Sequence, residues 1–190
     1  MEIKRQSYYS WLFVPTLYFA EGLPYVIINI VSVIFYKKME VDNAQITFWT
    51  SLLYLPWVIK MLWSPFVDTY STKRTWILAT QVAMVACLSL VALSFQLPNF
   101  FFISLLTLTV GAFISATYDI ATDGFYMLAL SNEQQAFYAG IRSTFYKVAM
   151  LFGSGLLVAL AGTLETSINT SLTWTIAIGF SALIYALTLA

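Results

Sequence analysis

The sequence predicts an all-α membrane protein of six spanning helices, and three observations predict it. Of the 190 residues, 60% are hydrophobic and only 9% are charged, whereas a soluble domain carries about 25% charged residues. The apolar residues fall in blocks about 20 long, the length a helix needs to cross a bilayer. A short polar loop separates each block from the next: KKMEVDN, DTYSTKR, QLPN, SNEQQ and TLETSINTS.

The first span is expected at about 10–36. Lys4 and Arg5 resemble the charged start of a signal peptide, but the apolar run is too long and lacks a small-residue cleavage site. The EGLPY stretch places Gly22 and Pro24 beside Glu21, and proline weakens a helix one turn back. The second span is expected at about 44–66 and the third at about 75–95. The fourth, about 99–129, is too long. Thirty residues rise about 45 Å against a hydrocarbon core of about 30 Å, so it must tilt or project. Its Gly124 follows Asp123 as Gly22 follows Glu21, a pattern that fits an inverted three-plus-three repeat. The fifth span is expected at about 136–162, with GSG at 153–155 permitting close helix contact, and the sixth at about 171–190. ALIYALTLA is still apolar at the last residue, and the chain is expected to be one part of a longer protein.

Basic residues near span ends set orientation. An inside N-terminus collects Lys4, Arg5, Lys73, Arg74 and Arg142 on the inner side and leaves Lys37 and Lys38 outside. Tyr8, Tyr9, Trp11, Tyr36, Trp49, Tyr70, Trp76 and Trp174 fall near the expected interfaces, where aromatic anchors belong.

Composition excludes several functions. Net charge is zero, which argues against nucleic acid as a partner. The single Cys87 rules out an intrachain disulfide. Without histidine, the chain holds neither a Ser-His or Cys-His pair nor a His-based zinc site. No metal, cofactor or enzymatic activity is expected.

Six ionisable residues fall inside the spans: Glu21, Lys60, Asp119, Asp123, Arg142 and Lys147. Such residues face the bundle interior or a watery cavity and pair with one another. Three acids and three bases can neutralise themselves. Buried pairs stabilise poorly compared with apolar packing, so six in one small bundle suggest a polar pathway. At 100° per residue, Tyr18, Glu21, Tyr25, Asn29 and Ser32 share one arc of the first helix. Ser115, Asp119, Thr122, Asp123 and Tyr126 share one arc of the fourth. The fifth carries two stripes, Tyr138, Arg142, Tyr146 and Gly153 on one side, and Ser143, Lys147 and Ser154 on another. It is therefore expected to be shielded from lipid.

Asp119 and Asp123 lie one turn apart on the same helix face. Charges about 6 Å apart repel by roughly 3 kcal/mol at an effective dielectric of 20, which favours holding a proton between them. Arg142, just after a short turn, is the expected partner, with the fourth and fifth helices as antiparallel neighbours. Asp119 and Asp123 are the candidate proton carriers, with Glu21 as the alternative. Lys60, Arg142 and Lys147 are their charge partners. Tyr18, Tyr25, Asn29, Trp57, Tyr126 and Tyr146 are candidate solute-cavity residues, able to stack on or hydrogen-bond to a sugar.

WSPFVDTYSTKR resembles the loop motif of the major facilitator superfamily, with Asp68, Lys73 and Arg74 in the motif's acidic and basic places. Ser64 stands where the usual glycine would be, and Thr69 where a basic residue would be. FAEGLPY, LPWVIKMLWSPFVD and YDIATDGFYM together resemble the AmpG-type permeases and the related acetyl-coenzyme A transporters, over the first five helices. The resemblance implies the N-terminal six-helix bundle of a two-bundle transporter whose C-terminal half is absent from this chain. It implies that helices 1 and 4 line the cavity, that helices 3 and 6 face lipid, and that Asp68, Lys73 and Arg74 form a cytoplasmic gating loop. It further implies proton-coupled import of a peptidoglycan-derived muropeptide by alternating access across a bacterial inner membrane, with the N-terminus cytoplasmic. Two readings compete: a transporter of an acyl-coenzyme A or another phosphorylated solute, and a channel or scaffold subunit.

Overall fold

A computed structural model describes residues 2–189 and the side chains from Ser10 onward, with no strand among the described residues. Lys4, Arg5, Tyr8 and Tyr9 therefore lie outside the described side chains. The first segment is one continuous rod: α1 (Glu2–Val26), a π turn (Ile27–Val31) and α2 (Ser32–Lys38). Pro15 and Pro24 both lie within α1, and the π turn follows Pro24 closely, where the helix lacks an N–H donor. Glu40, in the left-handed region at φ 61°, turns the chain after it.

The second segment departs from the expected unbroken helix at 44–66. It consists of α3 (Asn43–Leu52), α4 (Leu55–Ile59), a 3₁₀ turn (Lys60–Leu62) and α5 (Ser64–Tyr70). Proline is the cause. Pro56 and Pro65 each sit at the first positions of a new piece, where a missing N–H costs nothing, and neither can continue the helix before it. Asp42 caps α3 by accepting from the backbone N–H groups of Ala44 and Gln45.

The third and fourth segments are α6 (Lys73–Ser94) and α7 (Phe100–Ala129). At 30 residues, α7 has the excess length expected of it. The fifth segment joins α8 (Asn132–Leu151), a second π turn (Phe152–Leu157) and α9 (Val158–Leu164). Ser131 and Gln134 form a capping box at its start. The last helix is α10 (Thr170–Ala186). Among the described residues, four stretches are long and apolar enough to cross a membrane: Ser10–Lys38, Lys73–Ser94, Phe100–Ala129 and Asn132–Leu164. At 17 residues, α10 is at the short limit, and no piece of the second segment reaches it.

Two close approaches set the packing around α1. A Cβ on Gly22 would lie 2.7 Å from the Tyr146 carbonyl oxygen of α8, and one on Gly153 would collide with Val26. The GSG stretch thus has a packing role at Gly153, while Gly155 faces open space. α8 runs along α1 and meets α7 only weakly, so α1 lies between the fourth and fifth segments. This corrects the expectation that those two are antiparallel neighbours, because the small residues that admit a second backbone lie on the α1–α8 contact. The pieces α4 and α5 lie against α7, and α6 packs between α7 and α10. Leu23, Ile27, Val31 and Phe35 of the first rod meet Met84, Leu88 and Val91 of α6, and Leu108 and Ala112 of α7, in one core.

Burial differs from segment to segment. The fifth segment is not enclosed by this chain, with only 22% of its most apolar stretch buried. Tyr36 and Trp174 are core residues rather than interfacial anchors. The Tyr36 hydroxyl hydrogen-bonds Ser104 at 2.8 Å, and Trp174 packs against Phe35 at 5.8 Å between ring centres. Trp11 and Tyr70 are exposed, as anchors would be.

Candidate functional site

The intramembrane charges gather where α1, the 3₁₀ turn, α7 and α8 approach each other. The 3₁₀ turn carries Lys60 toward α7, where its ammonium donates to Asp119 Oδ2 at 3.1 Å. Asp119 is largely buried there and does not stand free in lipid. Asp123, one turn on, has different partners. Its Oδ1 accepts from the Tyr18 hydroxyl at 2.9 Å and lies 3.4 Å from the Arg142 guanidinium. That guanidinium lies 4.6 Å from the centre of the Tyr18 ring and 5.2 Å from that of the Tyr126 ring, within cation–π reach of both. The two aspartates thus hold separate cations on separate elements, and only Asp123 reaches Arg142.

Glu21 sits apart. It is 9% exposed, and its Oε2 is buried without a hydrogen-bond partner. It lines a cavity of about 250 Å³ with Tyr18, Arg142, Ser143, Tyr146 and Lys147. Both stripes of the fifth segment reach this one cavity, although the helical wheel separates them.

The aromatic candidates divide. Tyr25 meets Trp57 edge-on at 5.2 Å, with Tyr146 at 6.1 Å and Tyr54 at 6.2 Å, in a cluster joining three segments. Tyr54 was not singled out from sequence, yet it precedes Trp57 by three residues, a same-face spacing that could have found it. Trp57 and Lys60 also line a larger, more open cavity of about 620 Å³ with Ser64, Asp68 and Ile120. Tyr126 donates to the Gln135 carbonyl at 2.5 Å, and the Gln135 side chain donates to the carbonyls of Met127 and Leu130, so this tyrosine stitches the turn between α7 and α8. Asn29 is buried, and its Nδ2 donates to the Tyr25 carbonyl at 3.0 Å. Its Oδ1 is buried without a hydrogen-bond partner among the described residues.

At the other end, Lys73 donates to Asp68 across the turn between α5 and α6. The Lys73 stem lies on Gly124, where a Cβ would come within 2.7 Å of Lys73 Cε. The glycine beside Asp123 is thus the seat of the loop lysine. Arg74 lines the shallow depression next to it with Asp68 and Lys73. Among the described residues, no cluster of three or more acidic or cysteine side chains is placed to hold a metal.

No family model matches the chain. An Escherichia coli K12 protein named anhydromuropeptide permease is 32% identical over 149 residues, which are 75% of this chain and 30% of that protein. A Rickettsia felis protein carrying the transporter name AmpG 4 is 28% identical over 174 residues, 87% of this chain and 40% of its own length. An uncharacterized Haemophilus influenzae protein is 28% identical over 148 residues, 75% of this chain and 34% of that protein. The chain thus spans between 30% and 40% of the length of these relatives. Over three quarters or more of itself, this multi-pass, all-helical membrane chain is thus similar to proteins named as AmpG-type permeases.

Proposed function

We propose that this chain is the N-terminal six-span half of a major facilitator superfamily permease that imports an anhydromuropeptide with protons by alternating access. The name of the Escherichia coli relative supports the solute. In this reading the broken second segment and α10 complete the six spans, and a C-terminal half supplies the rest of the cavity. The N-terminus is cytoplasmic and the membrane is a bacterial inner membrane, so Asp123, Lys73 and Asp68 lie toward the cytoplasm.

One observation carries the reading: two carboxylates, one helical turn apart on α7, each held by a cation from a different segment. A proton on either carboxylate releases its cation. Lys60 would then free the second segment from α7, and Arg142 would free the fifth. Protonation is thereby tied to relative movement of helices, which a coupled carrier requires. Asp68 with Lys73 and Arg74 latches the cytoplasmic end, and Tyr25, Tyr54, Trp57 and Tyr146 offer ring faces to a sugar. The competing reading, a phosphorylated solute, is less well served, because Lys60 and Arg142 are already neutralised, and of the three basic residues in the spans only Lys147 has no ion pair among the described residues.

The test uses the complete protein in proteoliposomes with labelled anhydromuropeptide and an imposed proton gradient. Asp119→Asn and Asp123→Asn should lose gradient-driven accumulation and keep solute exchange. If both variants still accumulate solute, neither aspartate carries the proton and Glu21 becomes the carrier. If uptake by the unaltered protein ignores collapse of the gradient, proton coupling itself is wrong.

A further inference from the structure

Three acids and three bases lie within the spans, but the structure makes only two pairs of them, Lys60 with Asp119 and Arg142 with Asp123. Glu21 and Lys147 are left over. Neither forms a hydrogen bond or ion pair among the described residues, yet both line the same cavity of about 250 Å³. Two opposite charges that share a cavity should close on each other unless something belongs between them. Glu21 is nine-tenths buried and presents a bare carboxylate oxygen. Lys147 is exposed at the edge of the same space. The wall between them carries hydroxyl groups, from Tyr18, Ser143 and Tyr146.

We infer that this cavity is a subsite for a zwitterionic α-amino-acid head group, its ammonium on Glu21 and its carboxylate on Lys147. Glu21 is an acceptor and Lys147 a donor, so the occupant must present a donor at one end and an anion at the other. A plain anion leaves Glu21 unanswered, and a plain sugar leaves Lys147 unanswered. The space of about 250 Å³ has room for an amino-acid head. The sugar rings would then belong to the aromatic cluster around Tyr25, on the adjoining wall shared through Tyr146. The inference rests on the transporter reading in one respect: a solute must reach the cavity. A proton held by Glu21 alone is the rival account, and it gives Lys147 no role.

The experiment measures binding to the purified complete protein in nanodiscs. The probes are an anhydromuropeptide whose peptide bears a free amino-acid head, the same compound with that amine acetylated, and the same compound with that carboxyl amidated. Alanine, N-acetylalanine and alaninamide form a parallel set without sugar. In the unaltered protein each block should weaken binding about tenfold. Lys147→Gln should erase the penalty of amidation and keep that of acetylation. Glu21→Gln should do the reverse. Because Lys147 is exposed, its variant folds and decides the matter if the Glu21 variant does not. Blocked and free compounds binding alike, or an amidation penalty that survives Lys147→Gln, overturns the inference. If the amino-acid set shows the pattern and the muropeptides do not bind, the subsite stands and the muropeptide reading falls. If neither set binds, the subsite falls.

Discussion

Gly22→Ala tests the contact that holds the site together. Gly22 neighbours Glu21, and a Cβ there would stand 2.7 Å from the Tyr146 carbonyl oxygen and 3.0 Å from Ala149 Cβ. The first obstacle is backbone, so no rotamer change relieves it, and α1 and α8 must separate by a few tenths of an ångström. Overpacking of this kind costs about 1–3 kcal/mol. Replacing glycine by alanine inside a helix returns about 1 kcal/mol of propensity. The net expectation is a loss of about 1 kcal/mol, reaching about 2 kcal/mol if the helices resist. Gly140, in α8 with nothing within 4 Å of its would-be Cβ, is the control, and Gly140→Ala should gain about 1 kcal/mol. Both variants are compared by thermal unfolding of the purified protein in one detergent. Adding Ala149→Gly to Gly22→Ala removes the 3.0 Å contact and leaves the 2.7 Å one, so it should not restore stability. If Gly22→Ala stabilises as much as Gly140→Ala, the two helices do not approach as described.

Lys60→Met strands Asp119 in a largely buried place, and about 1–3 kcal/mol of stability should go with it, since Lys60 is itself one-third exposed. Lys60→Met with Asp119→Asn should recover most of that loss, and additive losses in thermal unfolding would mean that the pair does not interact. Tyr18→Phe keeps the ring under Arg142 and removes the donor to Asp123, so about 1.5–3 kcal/mol is at stake; an unchanged unfolding temperature would show that the bond is not made in the membrane protein. Asp68→Asn should slow conformational cycling while leaving solute affinity nearly unchanged, and normal transport rates would reduce the loop to a solvated turn. Gly124→Val should produce the same slow phenotype by displacing the Lys73 stem; a variant that cycles at the normal rate would detach Gly124 from the latch.

Much of this architecture can be read from the letters, because hydropathy blocks report burial in lipid directly. Helix α7 runs over Phe100–Ala129 against an expected 99–129, since nothing interrupts its pattern. The charged residues could be picked out one at a time, because each is conspicuous against an apolar background. Their pairing could not, because it depends on which helices are neighbours. Lys60 finds Asp119 across 59 positions because α4 and the 3₁₀ turn lie beside α7. The prolines at 56 and 65 were visible in the sequence, yet a hydropathy window averages over the breaks they cause. The wide turn in the first rod was equally invisible. A helical wheel assumes one constant step per residue, and the turn after Val26 does not keep it.

The two π turns bear on how this chain tolerates changes of length. Each wide turn stores roughly one residue more than an α-helix would need to cover the same rise. Removing one residue from 27–31 would let the rod straighten into an uninterrupted α-helix. Everything beyond would keep its orientation relative to Tyr18 and Glu21, because the residue lost is the one the wide turn absorbs. Phe35 and Tyr36 would stay in the core, and the charges before the turn would keep their places. The turn at Phe152–Leu157 touches the one at Ile27–Val31, so the two rods bulge against each other. A deletion in one removes the bulge that the other is shaped to meet. Natural length variation at these two places should therefore come as matched pairs, one residue lost or gained in both rods together.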